Sequence, residues 1–197
     1  MQGSVVQKPL GRMPMALVWP SLTHLDSYVQ ALERGWSPDN LRPEAGREEL
    51  QRIRIDSVRF LDELVDREGK GAPVLMADGS EVPRLPGYRR WMWDGAFCGS
   101  IALRWQPGTD ALPAYCLGHI GYGVVPWRQG RGHATQALHL LLREAPLEGL
   151  SSVEITTSPD NLASQRVILA NGGRLIERFD KSAELGGTPE LRFRIDL

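Results

Sequence analysis

The segment with the clearest chemical content runs Gly121-Tyr-Gly-Val-Val-Pro-Trp-Arg-Gln-Gly-Arg-Gly-His-Ala134. An apolar, strand-like run ends at Pro126, a short loop holds Gly130 and Gly132, and a helix-forming run begins just after them. Glycine carries no side chain, so backbone N–H groups in such a loop can approach a ligand closely. The start of the helix adds unpaired N–H groups and the positive end of the helix dipole. Together these make an anion cradle suited to phosphate. Two nucleotide patterns do not fit it. A P-loop needs Gly-Lys-Ser/Thr, and the lysines here are Lys8, Lys70 and Lys181, none of them near. The dinucleotide fingerprint needs a third Gly or Ala, where this chain has Thr135, and an acid about 20 residues on. The nearest later acids, Glu148 and Glu154, fall in a turn and at the start of a strand.

A third pattern fits. Gln129-x-x-Gly132-x-Ala134, three residues after Pro126, resembles the pyrophosphate loop of the GNAT superfamily of N-acetyltransferases. Downstream, Pro159-Asp-Asn-Leu-Ala-Ser-Gln-Arg-Val-Ile-Leu-Ala-Asn-Gly-Gly173 resembles that superfamily's second signature, with Asn161, then Ser164, and an Asn-Gly end. With Gly118-His-Ile-Gly-Tyr122 added, the likeness covers residues 117–175 strongly and most of the chain more loosely. It is similar above all to the branch of ribosomal-protein N-terminal acetyltransferases and related predicted acetyltransferases. The resemblance implies acetyl-CoA as co-substrate, lying in a cleft where two parallel strands, ending near Val125 and Thr157, splay apart. Its pantetheine arm would pair against Val124. Its pyrophosphate would take backbone N–H bonds along the loop opened by Gln129: Gly130, Arg131, Gly132, His133, Ala134 and Thr135. Each such charge-assisted bond contributes about 1.5–3 kcal/mol. Asn161 would bond the pantetheine arm, with Ser164 a further contact.

The resemblance also implies direct transfer of acetyl to a primary amine in a ternary complex, the acceptor being a small molecule or a protein N-terminus. Such an amine must give up a proton, and the leaving CoA thiolate takes one. Many members of the superfamily have a Glu on the splayed strand and a Tyr seven residues after the Asn. Here the latter position is Ile168, and residues 117–125 contain no carboxylate. Their ionisable side chains are His119 and Tyr122, on opposite faces of a regular strand. His119, with an intrinsic pKa near 6.5, and Ser164, as a thiolate proton donor, are the catalytic candidates. A structural His119, bonded to backbone, is the alternative. Arg131, with or without Arg128, is a candidate partner for the CoA phosphates. The missing Tyr and Glu keep a second reading open: a catalytically silent acyl-CoA-binding sensor or interaction module on the same fold.

The elements that must position these residues follow from periodicity. A strand is expected at 15–19, a helix at 20–34 and a second at 47–67, each with apolar residues every three or four positions. Residues 69–87, rich in Gly and Pro, predict a loop or weak hairpin that covers the pocket or is a mere spacer. Strands at 88–93 and 97–105 flank Asp94-Gly95, a hairpin signal. A strand at 115–125, a helix at 132–144, a strand at 152–157, a helix at 161–170 and strands at 174–179 and 190–196 complete the chain. Trp91, Trp93 and Trp105 occupy odd positions on adjacent strands, predicting one shared sheet face, as core or as pocket lining. Strands followed by strand–helix alternation imply an α/β (α+β) fold: a mixed, mostly antiparallel sheet with helices on both faces.

Bulk properties agree with one domain spanning 1–197, with 1–14 a loose leader and 117–175 the acetyl-CoA core. The 197 residues carry 23 Lys+Arg and 24 Asp+Glu, a net charge of -1, which argues against a nucleic-acid partner. With three lysines, 20 of the basic residues are arginine. Cys98 and Cys116 form neither a disulfide framework nor a zinc site by spacing, so no metal is expected and both read as buried core thiols. Neither a signal peptide nor a membrane span is evident, which suits the cytoplasm. Homodimerisation is left open.

Overall fold

Apolar stripes and turn residues assemble the elements in the computed structural model, which describes residues 14–40, 42–76, 79–182 and 185–197. In chain order they are β1 (Ala16–Val18), α1 (Leu22–Glu33), α2 (Ala45–Ile55), α3 (Ser57–Asp62), β2 (Val65–Asp66), β3 (Val74–Leu75), β4 (Glu81–Val82), β5 (Gly87–Trp93), β6 (Phe97–Arg104), β7 (Ile120–Val124), α4 (His133–Leu142), β8 (Ser152–Thr157), α5 (Leu162–Ala170), β9 (Arg174–Asp180) and β10 (Pro189–Asp196). One sheet runs β1-β5-β6-β7, with β2 also paired to β5; a second runs β8-β10-β9. Every recorded pairing among the described strands is antiparallel. The expected leader lies, apart from Pro14, outside the described residues. No helix among the described residues is long and apolar enough to cross a membrane.

Side-chain alternation divides the core between the two faces of the first sheet. On one face Met92, Ile101 and Leu103 meet Leu138 and Leu141 of α4, Ile168 of α5 and Phe193 of β10. On the other, Trp91 and Phe97 meet Tyr28 and Leu32 of α1 and Phe60 of α3. Tyr28 stacks on Trp91 with ring centroids 4.5 Å apart. The shared tryptophan face does not form: Trp91 and Trp93 pack with α1, whereas Trp105 belongs to the opposite cluster. The register explains this. Trp91 lies opposite Ser100, so an odd residue of β5 shares its face with an even residue of β6, and Trp105 points the other way.

Three further expectations change in detail. The helix predicted at 47–67 is broken at Asp56, whose backbone is extended and whose carboxylate accepts the Arg59 N–H at 2.9 Å. That is a helix N-cap, so the chain turns and restarts as α3. The strand predicted from 115 begins at Ile120, because the chain first crosses to β8: His119 N–H bonds Glu154 O at 2.8 Å. Cys116 therefore lies outside the strands and is only half-buried, unlike Cys98, which is fully buried. Within the 69–87 segment the two-residue strands β3 and β4 pair as the weak hairpin.

Where α2 meets β5, a polar cluster is largely buried at the edge of the sheet face. Glu49, 6% exposed, accepts Arg89 Nη1 at 2.9 Å and also the Tyr28 hydroxyl. Burial, helped by the Glu49 charge, holds the Tyr28 hydroxyl well above its ordinary pKa. Removing one partner of such a pair leaves the other charge desolvated and alone. Glu49→Ala is expected to destabilise the fold by about 3 kcal/mol, read as a lower urea midpoint at unchanged slope. A loss under about 0.5 kcal/mol would put Glu49 among ordinary surface carboxylates.

Candidate functional site

The two sheets meet at β7 and β8, joined in sequence through α4, the helical crossover that side-by-side parallel strands require. Contact begins at His119, where the N–H goes to Glu154 O and the ring Nδ1 accepts the Glu154 N–H at 2.9 Å. Beyond that point no ladder joins β7 to β8. Arg104 N–H bonds His119 O and Val125 N–H bonds Cys98 O. Odd residues of this stretch therefore address β6, and Tyr122 and Val124 turn their N–H and C=O groups toward the gap. Two side-chain amides reach these carbonyls: Asn40 Nδ2 to Tyr122 O and Gln129 Nε2 to Val124 O, each at 3.3 Å. An open strand edge capped by exchangeable amides can accept an extended, amide-bearing ligand as an added strand.

At the far end of β7 the chain forms a short 3-10 turn, Pro126–Arg128, and then the glycine loop. Gly130 and Gly132 have φ of +70° and +79°, and nothing lies within 4 Å of where their Cβ atoms would be. The glycines thus set the left-handed backbone of an open concavity rather than relieving a crowded one. The first intrahelical bond of α4 is Gln136 N–H to Gly132 O. The amides of His133, Ala134 and Thr135 consequently have no intrahelical acceptor and head toward the loop. Arg131 is exposed, its Nη2 on Trp127 O at 3.3 Å, and is placed to meet an anion.

Arg128 has a different role from the one its position suggests. Its Nη1 pairs with Asp94 Oδ2 at 3.1 Å, and Asp94, 2% exposed, also faces His133 Nε2 at 3.6 Å. The Asp94-Gly95 hairpin turn thereby anchors the loop from beneath. Donor atoms of Asp94, Cys98 and His133 lie within 4.8 Å of one another. Burial and the Asp94 hydrogen bond push the Cys98 thiol up to about 12, so a metal there would have to take its proton and also compete with Arg128. As it stands the cluster is a scaffold for the loop.

Across the gap, Asn161 caps α5, its Oδ1 accepting Ser164 N–H at 3.0 Å. The carboxamide NH2 is the group it has left to offer a ligand carbonyl. Ser164 Oγ lies 2.9 Å from the Tyr122 hydroxyl, which burial pushes up to about 12. Tyr122 is a residue to which the sequence reading gave no role. Its signal was its parity with Ile120 and Val124, which face α4 and α5. Ile168 is fully buried in that core, so the hydroxyl on this wall arrives from β7 instead of from the end of α5.

The other side of β7 faces a cleft of about 1580 Å³, walled by α2, α3 and the β3–β4 hairpin, with Gly87, Ala102 and Gly121 in its lining. Lys70, Met76 and Pro83 also line it, so described residues on both strands' sides of the 69–87 segment contribute to the pocket wall.

The loop, the splayed edge and the capped helix adjoin the gap between β7 and β8, and residues 66–174 match the family described as acetyltransferase (GNAT) domain. The chain belongs to the GNAT acetyltransferase family. Membership makes it an acetyl-CoA-dependent acyltransferase. Similar solved structures cover nearly the whole chain. The microcin C7 self-immunity acetyltransferase MccE, in complex with acetyl-CoA and AMP, has a TM-score of 0.60 at 14% identity, over 93% of this chain and 92% of that one. The ribosomal L7/L12 α-N-protein acetyltransferase RimL, in complex with coenzyme A, has 0.58 at 16% over 93% and 94%. Mycobacterium smegmatis RimJ, in complex with a CoA disulfide, has 0.58 at 16% over 92% and 81%. Among curated proteins, none matches the sequence.

His119 is 1% exposed. With Nδ1 accepting, the neutral ring carries its proton on Nε2, an atom that is buried and without a hydrogen-bond partner among the described residues. Neither nitrogen offers the cleft a lone pair. Burial lowers its pKa and outweighs the opposing charges of Glu154 and Asp110, with a small further push in the same direction from Arg104. Between that lowered value and about 6.5 the unfolded chain holds a proton that the native ring does not. His119 therefore makes stability fall as pH drops through that window and has no such effect above it. His119→Asn, whose carbonyl can still accept the Glu154 N–H, is expected to flatten this slope in urea unfolding from about pH 7.5 to about pH 5. Equal slopes would mean that the ring titrates as in free solution.

Proposed function

We propose that the chain, acting as one domain, transfers the acetyl group of acetyl-CoA directly to a primary amine in a ternary complex. The observation that carries this reading is the order of glycine loop, splayed edge and capped helix along one gap. Left-handed Gly130 and Gly132 and the unpaired amides at the start of α4 adjoin the splayed edge of Tyr122 and Val124, and β7 has the proposed acceptor cleft on its other side. Pyrophosphate would take the amides of Gly130 to Thr135, with Arg131 beside it. The pantetheine arm would displace the Asn40 and Gln129 amides from the Tyr122 and Val124 carbonyls, and the Asn161 NH2 would meet it from α5.

The amine nitrogen attacks the thioester carbon, the C–N bond forms, the C–S bond breaks, and one proton moves from nitrogen to sulfur. A tyrosine hydroxyl held up at about 12 is a poor source of a free proton for a thiolate, whose conjugate acid lies nearer 8.5. A hydroxyl pair that accepts one proton while handing on another needs no net ionisation. Ser164 and Tyr122, 2.9 Å apart, are arranged for that relay, with His119 as the fixed pin of the splay. Burial holds the Cys98 thiol protonated, and among the described residues Cys116 is bonded to the Gly118 carbonyl and to no basic group. A covalent acyl-cysteine therefore has no activated nucleophile to form on.

Gly132→Glu sets a carboxylate and a side chain with unfavourable φ into the cradle. It is expected to abolish CoA binding by calorimetry while circular dichroism stays native. Retention of tight CoA binding by a folded variant would remove the loop from the site. Ser164→Ala is expected to lower kcat about 100-fold in thiol-release assays with little change in KM for acetyl-CoA. An unaltered kcat would end the relay. A persistent absence of thiol release across amines and peptides, with CoA still bound, would favour the silent acyl-CoA sensor.

A further inference from the structure

The acceptor cleft has many charges, and nearly all are already matched. Of the cations that line it, Arg52 and Arg59 pair with Glu63, Lys70 with Glu68, Arg89 with Glu49 and Lys181 with Glu190, while Arg84 donates to Ala72 O. Arg104 is the exception: its guanidinium has no hydrogen bond, ion pair or ring contact among the described residues. It is half-buried on the last residue of β6, on the same face as Ala102. The register places Ala102 opposite Gly121 and Gly87 opposite Arg104, so the floor around the guanidinium is bare of side chains. A Cβ on Gly121 would come within 3.1 Å of Arg104 Nη2, which shows the guanidinium lying across that glycine, one residue from Tyr122. The phosphate loop lies at the opposite end of β7, so this cation is not part of the CoA cradle.

A guanidinium partly withdrawn from water and given no counter-ion is costly to the fold without return. Its planar fork matches a carboxylate with two parallel hydrogen bonds. We infer that Arg104 is the anion-binding residue of the acceptor site and that the acceptor is an amine carrying a carboxylate. This inference rests on the acetyl-transfer reading above and deepens it by fixing the substrate class. The carboxylate seats on Arg104 over Gly121, and the amine projects along β7 toward the thioester.

The test is acetyl transfer to matched pairs. Free amino acids and dipeptides are compared with their C-terminal carboxamides, and amidated peptides with Asp at the second position are compared with the same peptides bearing Asn. Wild-type protein is expected to favour the carboxylate member in kcat/KM by roughly 10- to 100-fold. The first series would assign the carboxylate to a small acceptor and the second to a peptide side chain. In Arg104→Gln the ratio is expected to fall to about one, and in Arg104→Lys, which keeps charge without the fork, to an intermediate value. An unchanged ratio in Arg104→Gln, or no carboxylate preference in wild type among amines it does acetylate, overturns the inference. If no amine is acetylated while CoA still binds, the transfer reading fails, and calorimetry of the same pairs with CoA-loaded protein decides Arg104 separately. Carboxylate-selective binding lost in Arg104→Gln supports it; binding indifferent to the carboxylate, or to the substitution, overturns it. Melting temperatures and CoA affinity of both variants establish that they are folded.

Discussion

The construction of this protein depends on a strand pairing that begins and then stops. His119 gives its N–H to Glu154 O as a β-ladder would, but the Glu154 N–H finds an imidazole nitrogen where a continued ladder would supply a carbonyl. One side chain thus satisfies the Glu154 N–H at the point where the two strands meet. The opening costs the sheet a run of ladder bonds, and its edge is left able to bind something else. Neutrality is part of the device, since a protonated ring could not accept that N–H. Burial of His119 favours the neutral form, against the opposing charges of Glu154 and Asp110.

The glycine loop, proposed above to hold the CoA pyrophosphate, solves a related problem with few charges. Its donors are main-chain amides, set by two glycines in left-handed conformation and by the start of α4. Amides need a rigid frame to act together, and the frame is ionic: Asp94 holds Arg128 from the turn before the loop and faces His133 just after it. An anion site of this kind requires no positive net charge, consistent with a chain at -1 overall. It also explains why an arginine in the loop sequence is not automatically a phosphate ligand. Arg131 is free to serve as one, and Arg128 is committed below.

How much of this was legible in the sequence depended on the range of the interaction. The glycine loop, the position of Asn161 at the start of the last helix and the β8 and α5 boundaries are local, written in neighbouring residues, and are legible nearly to the residue; that Asn161 caps the helix is not. The break at Asp56 was also local, an N-cap ahead of Ser57, yet the apolar repeat on both sides concealed it. Register was not local. Nothing near Trp105 says that it opposes Trp91 across the sheet, because facing depends on which residues of β5 and β6 are paired. The Tyr122–Ser164 contact, the Asp94 anchor and the Glu49–Arg89 pair join residues 42, 34 and 40 positions apart, and one sequence carries no trace of such pairings. His119 was chosen for its pKa and its glycine neighbours; the bond that decides its character comes from a strand 35 residues later.

The same long-range geometry bears on how an amine can react without a basic side chain beside it. Transfer needs the neutral amine, and a carboxylate on the acceptor works against this by stabilising its own ammonium group. Opposite charges nearby favour the charged form of an amine, and like charges disfavour it. When a carboxylate is tied to Arg104, its negative charge is cancelled and no longer holds the proton on the nitrogen. The amine then titrates closer to a peptide N-terminus, about 7.7–8.0, where an appreciable fraction is neutral near pH 7. Binding and activation would thus be one event at one residue. This division also explains why Arg89, seated on the same sheet face, is held by Glu49: a second unpaired cation would contribute charge without geometry. The proton lost after attack has only to cross from nitrogen to sulfur, a passage that two hydroxyls on facing elements can serve.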